Sequence, residues 1–247
     1  MMLTAKQAMT AIENLSMVAA DQLVKRGLLV IAPHPDDESL GCGGLIAASR
    51  ARKIPVHIVI VSDGVGSHPN SPSHPPQRLR DLREQEVVAA GCELGVTEDA
   101  ITFLRLPDRF VPSDGSGAQA AVNAIVRIAQ TCNADLMTVT WEHDPHCDHQ
   151  AAFALARAAH SLLAQTRLCA YPIWGFKLSP SHWLHMDYSE GSRVLIREYL
   201  PAKRRAIAAH TSQVTRLIDD DPHGFILGAD DLARFDRPYE PYLSVAG

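Results

Sequence analysis

Residues 27–38 read GLLVIAPHPDDE, an apolar segment that stops at Pro33 and gives way to a histidine and three acidic residues. An apolar segment of this length that contains Val and Ile predicts a β-strand buried on both faces of a sheet. Similar segments recur along the chain, at 55–62 (PVHIVIVS), 101–106 (ITFLRL) and 135–140 (DLMTVT). We therefore predict four strands of one sheet.

Helical sequence patterns separate or follow these strands, at 40–53, 78–95, 119–132 and 149–165. Strands that alternate with helices of this length form βαβ units and assemble into a mostly parallel sheet. The expected fold is therefore α/β, a Rossmann-like, doubly wound, mostly parallel sheet flanked by helices in a single domain.

The later part of the chain has weaker patterns. Two segments, 168–176 and 193–199, are candidates for further strands, and 201–213 predicts a helix with Pro at its start. We expect one domain over residues 1–247 with a core at about 27–215, and the sequence does not place the tail, 216–247.

The composition argues against several classes of partner. The net charge of -5 is not concentrated in a run of one sign, which disfavours nucleic acid and polybasic membrane binding. No segment approaches the ~18 apolar residues of a membrane span, and the first residues lack a signal-peptide pattern. The five cysteines are scattered without a C-x-x-C pair, which suits a reducing compartment. We expect a cytoplasmic protein.

Polar residues follow each of the four predicted strands. Because the carboxyl ends of parallel strands meet at one edge of the sheet, these residues are expected to converge on one acidic, histidine-rich cleft. The four stretches are 33–38 (PHPDDE), 62–64 (SDG), 107–108 (PD) and 141–149 (WEHDPHCDH).

The first and last of these stretches suggest a metal site. A catalytic zinc ion takes about three nitrogen and oxygen ligands and keeps one position open for water. His34 and Asp37 can point at one ion, and a histidine from another strand end can complete the set. Asp36 then lies beside the metal without being needed as a ligand, which suits a general base.

Two motifs resemble those of the PIG-L/LmbE-like zinc deacetylases. The family motif A-H-P-D-D-E is matched at 32–38, with one Pro inserted before the histidine, and H-P-D-H is matched at 146–149, with Cys147 in place of Pro. Further matches lie at Ser62-Asp63-Gly64, at Arg83-x-x-Glu86, and at 203–213, where the pattern is K-x-x-A-x-x-x-H-x-S-Q. The resemblance covers roughly residues 27–215.

The resemblance implies a role for each matching residue. His34, Asp37 and His149 would bind Zn²⁺, with Fe²⁺ or another divalent ion as alternatives, and His143 and Cys147 are the less favoured ligands. Asp36 would be the general base, and a protonated His146 would stabilise charge or donate a proton. The remaining residues would contact the substrate (Arg83, Asp108 and His210), support His146 (Asp148) or orient the first motif (Glu38).

The implied activity is hydrolysis of an N-acyl group, most often acetyl, from an amino-sugar-type small molecule or glycoconjugate. The alternatives are an amidase for a larger thiol-sugar or natural-product conjugate, a non-haem Fe(II) oxygenase, whose ligands are also two histidines and a carboxylate, and an inactive metal-binding module. The 67–77 loop is either a lid or a plain solvated loop, and homo-oligomerisation is left open.

Overall fold

The computed structural model describes residues 2–185 and 190–245. The strands in this part of the chain are β1 (Met2–Thr4), β2 (Met17–Ala19), β3 (Leu28–Ala32), β4 (Val56–Ser62), β5 (Ile101–Leu106), β6 (Leu136–Thr140), β7 (Arg167–Tyr171), β8 (Trp183–His185), β9 (Gly191–Leu195) and β10 (Tyr239–Ser244). The α-helices are α1 (Ala5–Glu13), α2 (Ala20–Leu23), α3 (Asp37–Ala51), α4 (Pro76–Glu93), α5 (Gly115–Thr131), α6 (Cys147–His160), α7 (Leu200–Ala209), α8 (Thr211–Val214) and α9 (Ala229–Phe235).

The main sheet has the strand order β2-β9-β10-β7-β6-β3-β4-β5. Its pairs are parallel except those of β10, which runs antiparallel to both β7 and β9. A separate small sheet pairs β1 with β8. The prediction of a doubly wound, mostly parallel sheet flanked by helices is confirmed.

The sheet is buried on both faces, as its continuous apolar strands require. Along β3, Leu28 and Val30 belong to the core that faces α3, α4 and α7, while Leu29 and Ile31 belong to the core that faces α1, α5 and α6. Helix α3 packs closely on its neighbours, because a Cβ at Gly41 would lie 2.2 Å from the ring of Tyr171. The glycines after the first motif therefore serve close packing.

The four strands predicted first are all present, with ends shifted by no more than one residue. The segment 201–213, predicted as one helix, is instead divided between α7 and α8, because His210 has a non-helical backbone with ψ of 58°. The segments 168–176 and 193–199 overlap β7 and β9. No described helix is long and apolar enough to cross a membrane.

The sheet also contains elements that lie outside residues 27–215. Strand β2 pairs with β9, and β10 is inserted between β9 and β7. The carboxylate of Glu240 on β10 accepts hydrogen bonds from the backbone N–H groups of Gly44 and Leu45 in α3. The end of the chain thus contacts the helix that begins with Asp37.

Candidate active site

A cavity of about 340 Å³ lies at the carboxyl edge of the central strands, at the small end of the usual range for ligand pockets. Residues that follow β3, β4, β5 and β6 line it. Of the four predicted polar stretches, 33–38, 107–108 and 141–149 contribute lining residues and 62–64 does not. Those of the predicted site residues that line it are His34, Asp36, Asp37, Arg83, Asp108 and His146.

The three predicted metal ligands lie together. Oδ2 of Asp37 is 3.3 Å from Nδ1 of His34 and 3.3 Å from Nε2 of His149. The rings of His34 and His149 have centroids 5.3 Å apart. Although burial disfavours a charged Asp37, the charges on His149 and His34 hold the pKa of its carboxyl well below the usual range.

Asp144 supports His149 and was missed as a functional residue by the sequence reasoning. Its fully buried Oδ2 lies 3.0 Å from Nδ1 of His149 and accepts the N–H of Ile173, while Oδ1 accepts the N–H of Trp174. A histidine that binds metal usually donates its other ring N–H to a carboxylate. The sequence signal that could have identified Asp144 was its position as an acidic residue between β6 and His149.

A divalent metal ion fits these side chains. Nε2 of His149 is buried and has no hydrogen-bond partner among the described residues. Ligand atoms held about 2.0–2.2 Å from one Zn²⁺ in a tetrahedron lie roughly 3.3–3.6 Å apart, which agrees with both 3.3 Å separations at Asp37. Imidazole nitrogen and carboxylate oxygen suit zinc and similar ions alike, so these residues accept a metal without specifying which one.

Among the described residues, two groupings of ligand atoms lie within 4.8 Å of one another, and neither contains Asp37. One joins His146 to His34 and His149, and the other consists of His34, Asp108, His146 and Asp148. Neither includes His143, whose Nε2 lies 2.9 Å from the carbonyl oxygen of His185. Cys147 is also outside both, and its Sγ is 3.5 Å from the carbonyl oxygen of Arg109.

Asp36 occupies a constrained position on the cavity wall. Its φ of 154° and ψ of -27° are seldom adopted by residues with a Cβ, and such strain is typical of functional sites. Its N–H donates to Oε2 of Glu38. Burial raises the pKa of the Asp36 carboxyl to about 7, against the opposing charge of Arg83, whose Nη2 is 3.4 Å from Oδ2.

Arg83 is fixed by the backbone of the same edge. Its guanidinium donates to the carbonyl oxygens of Gly64 and Pro35, at 2.8 and 2.7 Å, and its side chain is buried. The predicted substrate residue therefore lines the cavity and also holds the turn before Asp36 in place.

His146 differs from its expected protonated state. Burial, together with the positive charges on His34 and His149, lowers the pKa of His146 to about 4. Its Nδ1 accepts the N–H of Asp148, so the neutral ring carries its proton on Nε2. The structure therefore presents His146 as a neutral hydrogen-bond donor.

Asp148 also differs from expectation, because its carboxylate contacts His34 instead of His146. Oδ2 lies 3.1 Å from Nε2 of His34 and accepts the N–H of Arg109, and Oδ1 accepts the N–H of Val111. Asp108 approaches the same ring nitrogen of His34, at 3.4 Å. Two carboxylates thus orient His34, while the ring of His146 accepts a hydrogen bond from the backbone N–H of Asp148.

His210 does not line the cavity, although it was predicted to contact substrate. It is 1% exposed, and its Nε2 lies 2.9 Å from Oε1 of Glu38 and 3.1 Å from Oγ of Ser39. Glu38 in turn accepts the N–H of Asp36, as its predicted orienting role requires. The side chain of His210 therefore reaches the site through Glu38, without lining the cavity.

The 67–77 loop is tied to the C-terminal part of the chain. Asp220 accepts hydrogen bonds from Oγ of Ser71 and the N–H of Ser73, and Asp221 accepts the N–H of Asn70. Ser67, at the start of the loop, lines the cavity. The tail segment thus fixes one wall of the cleft.

Comparison with known proteins agrees with this geometry. The family model described as "PIG-L: GlcNAc-PI de-N-acetylase" matches residues 29–160. The chain is 24% identical over 194 residues to a probable N-acetyl-alpha-D-glucosaminyl L-malate deacetylase 2 of Bacillus anthracis, a match that covers 76% of this chain and 82% of that protein.

Two solved structures show the same fold. The N,N'-diacetylchitobiose deacetylase of Pyrococcus horikoshii has a TM-score of 0.60 at 19% identity, over 81% of this chain and 74% of that one. GalB, the 4-carboxy-2-hydroxymuconate hydratase of Pseudomonas putida KT2440, has a TM-score of 0.64 at 16% identity, over 90% and 97%. The fold alone thus occurs with more than one chemistry.

The family match indicates the class of reaction, which the fold alone does not. The protein is a hydrolase that acts on the amide bond of N-acetyl groups. It belongs to the PIG-L family, the family of GlcNAc-PI de-N-acetylase.

Proposed function

We propose that the chain is a zinc-dependent deacetylase that removes an N-acetyl group from a small amino-sugar substrate. The observation that carries the proposal is the buried Nε2 of His149, which has no hydrogen-bond partner among the described residues and lies 3.3 Å from Oδ2 of Asp37, with Asp36 on the wall of the adjoining cavity. The relatives named above for acetylated glucosamine compounds support the substrate class.

His34, Asp37 and His149 would hold the metal, and Asp144, Asp108 and Asp148 would orient the two imidazoles. When bound, such an ion lowers the pKa of water and polarises a carbonyl group. The protein side chains would accept and donate the protons that are transferred in the reaction.

Asp36 acts as the general base. Its carboxylate takes a proton from the water molecule whose oxygen attacks the acetyl carbon, and Arg83 keeps this carboxylate in place at 3.4 Å. A positioned base of this kind contributes roughly 10²–10⁴-fold to the rate. The same group, now protonated, can return its proton to the sugar nitrogen as the C–N bond breaks, which leaves acetate and a free amine.

His146 stabilises the negative charge that develops on the acetyl oxygen. Because Nδ1 accepts a backbone N–H, Nε2 carries the proton that can be donated to this oxygen. One preorganised donor of this kind is worth about 2.7–4 kcal/mol in the transition state. The neutral ring can do this without a proton transfer.

The decisive experiment measures acetate and free amine released from N-acetylglucosamine and a panel of N-acetylated amino sugars. We expect equal amounts of the two products, loss of activity with a chelator and recovery with Zn²⁺. The same samples are monitored for oxygen consumption with added Fe²⁺ and a keto acid. Absence of acetate from every substrate, or oxygen uptake coupled to substrate loss, would refute the proposal.

A further inference from the structure

Gln213 is a buried amide on the wall of the active-site cavity. It lies in α8, where its N–H donates to the carbonyl oxygen of His210 at 2.8 Å and its own carbonyl oxygen accepts the N–H of Leu227, also at 2.8 Å. The backbone on which this side chain stands is therefore fixed from two directions.

A chain of hydrogen bonds also fixes the orientation of the Gln213 amide. Glu86 accepts from the Ser212 hydroxyl at 2.7 Å, so the single proton of that hydroxyl is engaged. The Ser212 oxygen can then only accept, and Nε2 of Gln213 donates to it at 2.9 Å. If the amide were reversed, Oε1 of Gln213 would face Oγ of Ser212 and two acceptors would lie together. Oε1 therefore lies on the side of the amide that points away from Ser212.

Oε1 of Gln213 is buried and has no hydrogen-bond partner in the described part of the chain. Buried polar atoms are nearly always paired, and an unpaired one needs an explanation such as a bound ligand. None of the groups assigned to the deacetylation step uses this atom. A ligand that brings a hydrogen-bond donor to this wall of the cavity would satisfy it.

The neighbouring wall is aromatic. The rings of Trp174 and Phe225 both line the cavity, with centroids 6.0 Å apart at 86°. Phe225 donates its N–H to the carbonyl oxygen of Ser67, whose Oγ is 3.5 Å from Nε2 of Gln213. Gln213 therefore borders an apolar surface suited to the face of a sugar ring, and a ring lying there presents its hydroxyls at its edge.

We propose that Gln213 is a substrate-binding residue whose Oε1 accepts a hydrogen bond from one ring hydroxyl of the bound amino sugar. This inference rests on the proposed function, and it assigns substrate selection to the Glu86–Ser212–Gln213 chain. A site built to pair with a substrate hydroxyl discriminates against the analogue that lacks it, because the buried acceptor is then left alone. For one neutral bond we expect a loss of roughly 10–100-fold in kcat/KM.

The test compares N-acetylglucosamine with its monodeoxy analogues, each lacking one ring hydroxyl, for the wild type and Gln213→Met. Methionine has similar length and no strong acceptor. The wild type should lose roughly 10–100-fold in kcat/KM on one analogue, and Gln213→Met should lose this factor on the parent sugar while no longer distinguishing the two. Gln130→Met, at an exposed glutamine on α5, is the matched control and should behave like the wild type.

Ser212→Ala gives a second variant in case Gln213→Met does not fold. Without the serine oxygen the amide is free to reverse, so discrimination against the same analogue should shrink. Two results would overturn the inference: wild-type enzyme that treats every analogue like the parent, or variants that lose activity on all substrates by one common factor. Wild-type enzyme that releases no acetate from any sugar would instead remove the proposed function, and this inference with it.

Discussion

Asp36 and Asp37 are adjacent carboxylates with different surroundings. Asp37 lies between two imidazoles, whereas Asp36 faces Arg83 and the cavity. Asp36→Asn should therefore lower kcat by roughly 10²–10⁴-fold while the metal content remains near that of the wild type. His149→Ala should lose metal as well as activity. Metal analysis of both purified variants tests these roles, and equal loss of metal from both would contradict them.

Asp144 provides a second test at the scale of single residues. Replacing such a supporting carboxylate typically weakens metal binding 10–100-fold, so we expect this loss for Asp144→Asn. The variant should regain activity at higher metal concentration, which can be measured by titrating Zn²⁺ into the metal-free enzyme. Asp236→Asn, in the exposed ion pair with Arg204, is a control. An Asp144→Asn enzyme with unchanged metal affinity would mean that the carboxylate serves only the backbone of Ile173 and Trp174.

The sequence predicted that His34, Asp37 and His149 lie together, because motif positions determine residue types at strand ends. The sequence alone could not show which side chain each of these residues contacts. Asp148 follows Cys147 at the start of α6, and only the fold shows that its carboxylate reaches His34 more than a hundred positions away. His210 was misplaced for the same reason, since its contact with Glu38 depends on the break between α7 and α8.

At the scale of elements, the early strands were predictable and the last strand was not. Segments such as 28–32 are continuous and apolar, so burial on both faces is visible in the sequence. Strand β10 contains Glu240, Pro241 and two tyrosines, a pattern that suits a surface segment. Its burial depends on Lys203, whose Nζ is 2.7 Å from Oε1 of Glu240.

The pair Lys203–Glu240 attaches β10 to helices α7 and α3, and both side chains are almost fully buried. Glu240→Gln should destabilise the fold by about 3–5 kcal/mol, because the ammonium is left buried without a countercharge. Asp236→Asn, in the exposed pair with Arg204, should cost no more than about 1 kcal/mol. Urea unfolding measures both. Similar losses in the two variants would argue against this attachment.

Asp135 joins the segment before β3 to the start of β6. Burial opposes its charge, but the N–H groups of Arg26, Gly27 and Lys25 lower the pKa of its carboxyl. Since the folded-state pKa is the lower one, this contribution is present above the unfolded pKa of about 4 and is lost as pH falls through the folded value. Asp135→Asn should cost about 1–2 kcal/mol at neutral pH, and the difference from the wild type should vanish in acid. A difference that stays constant with pH would exclude a role for the charge.

At the scale of the whole molecule, a metal held as proposed would link strand ends that are far apart in sequence, so its binding should stabilise the entire fold. An ion present at 100 times its Kd adds about 2.7 kcal/mol, and each kcal/mol shifts Tm by about 2–4 °C at this chain length. Chelation should therefore lower the wild-type Tm by roughly 5–10 °C. Asp36→Asn should show the same shift, because the three proposed metal ligands are intact in that variant, whereas His149→Ala should show none. A chelator effect that survives in His149→Ala would place the metal elsewhere, and the roles of His34 and Asp37 would fall with it.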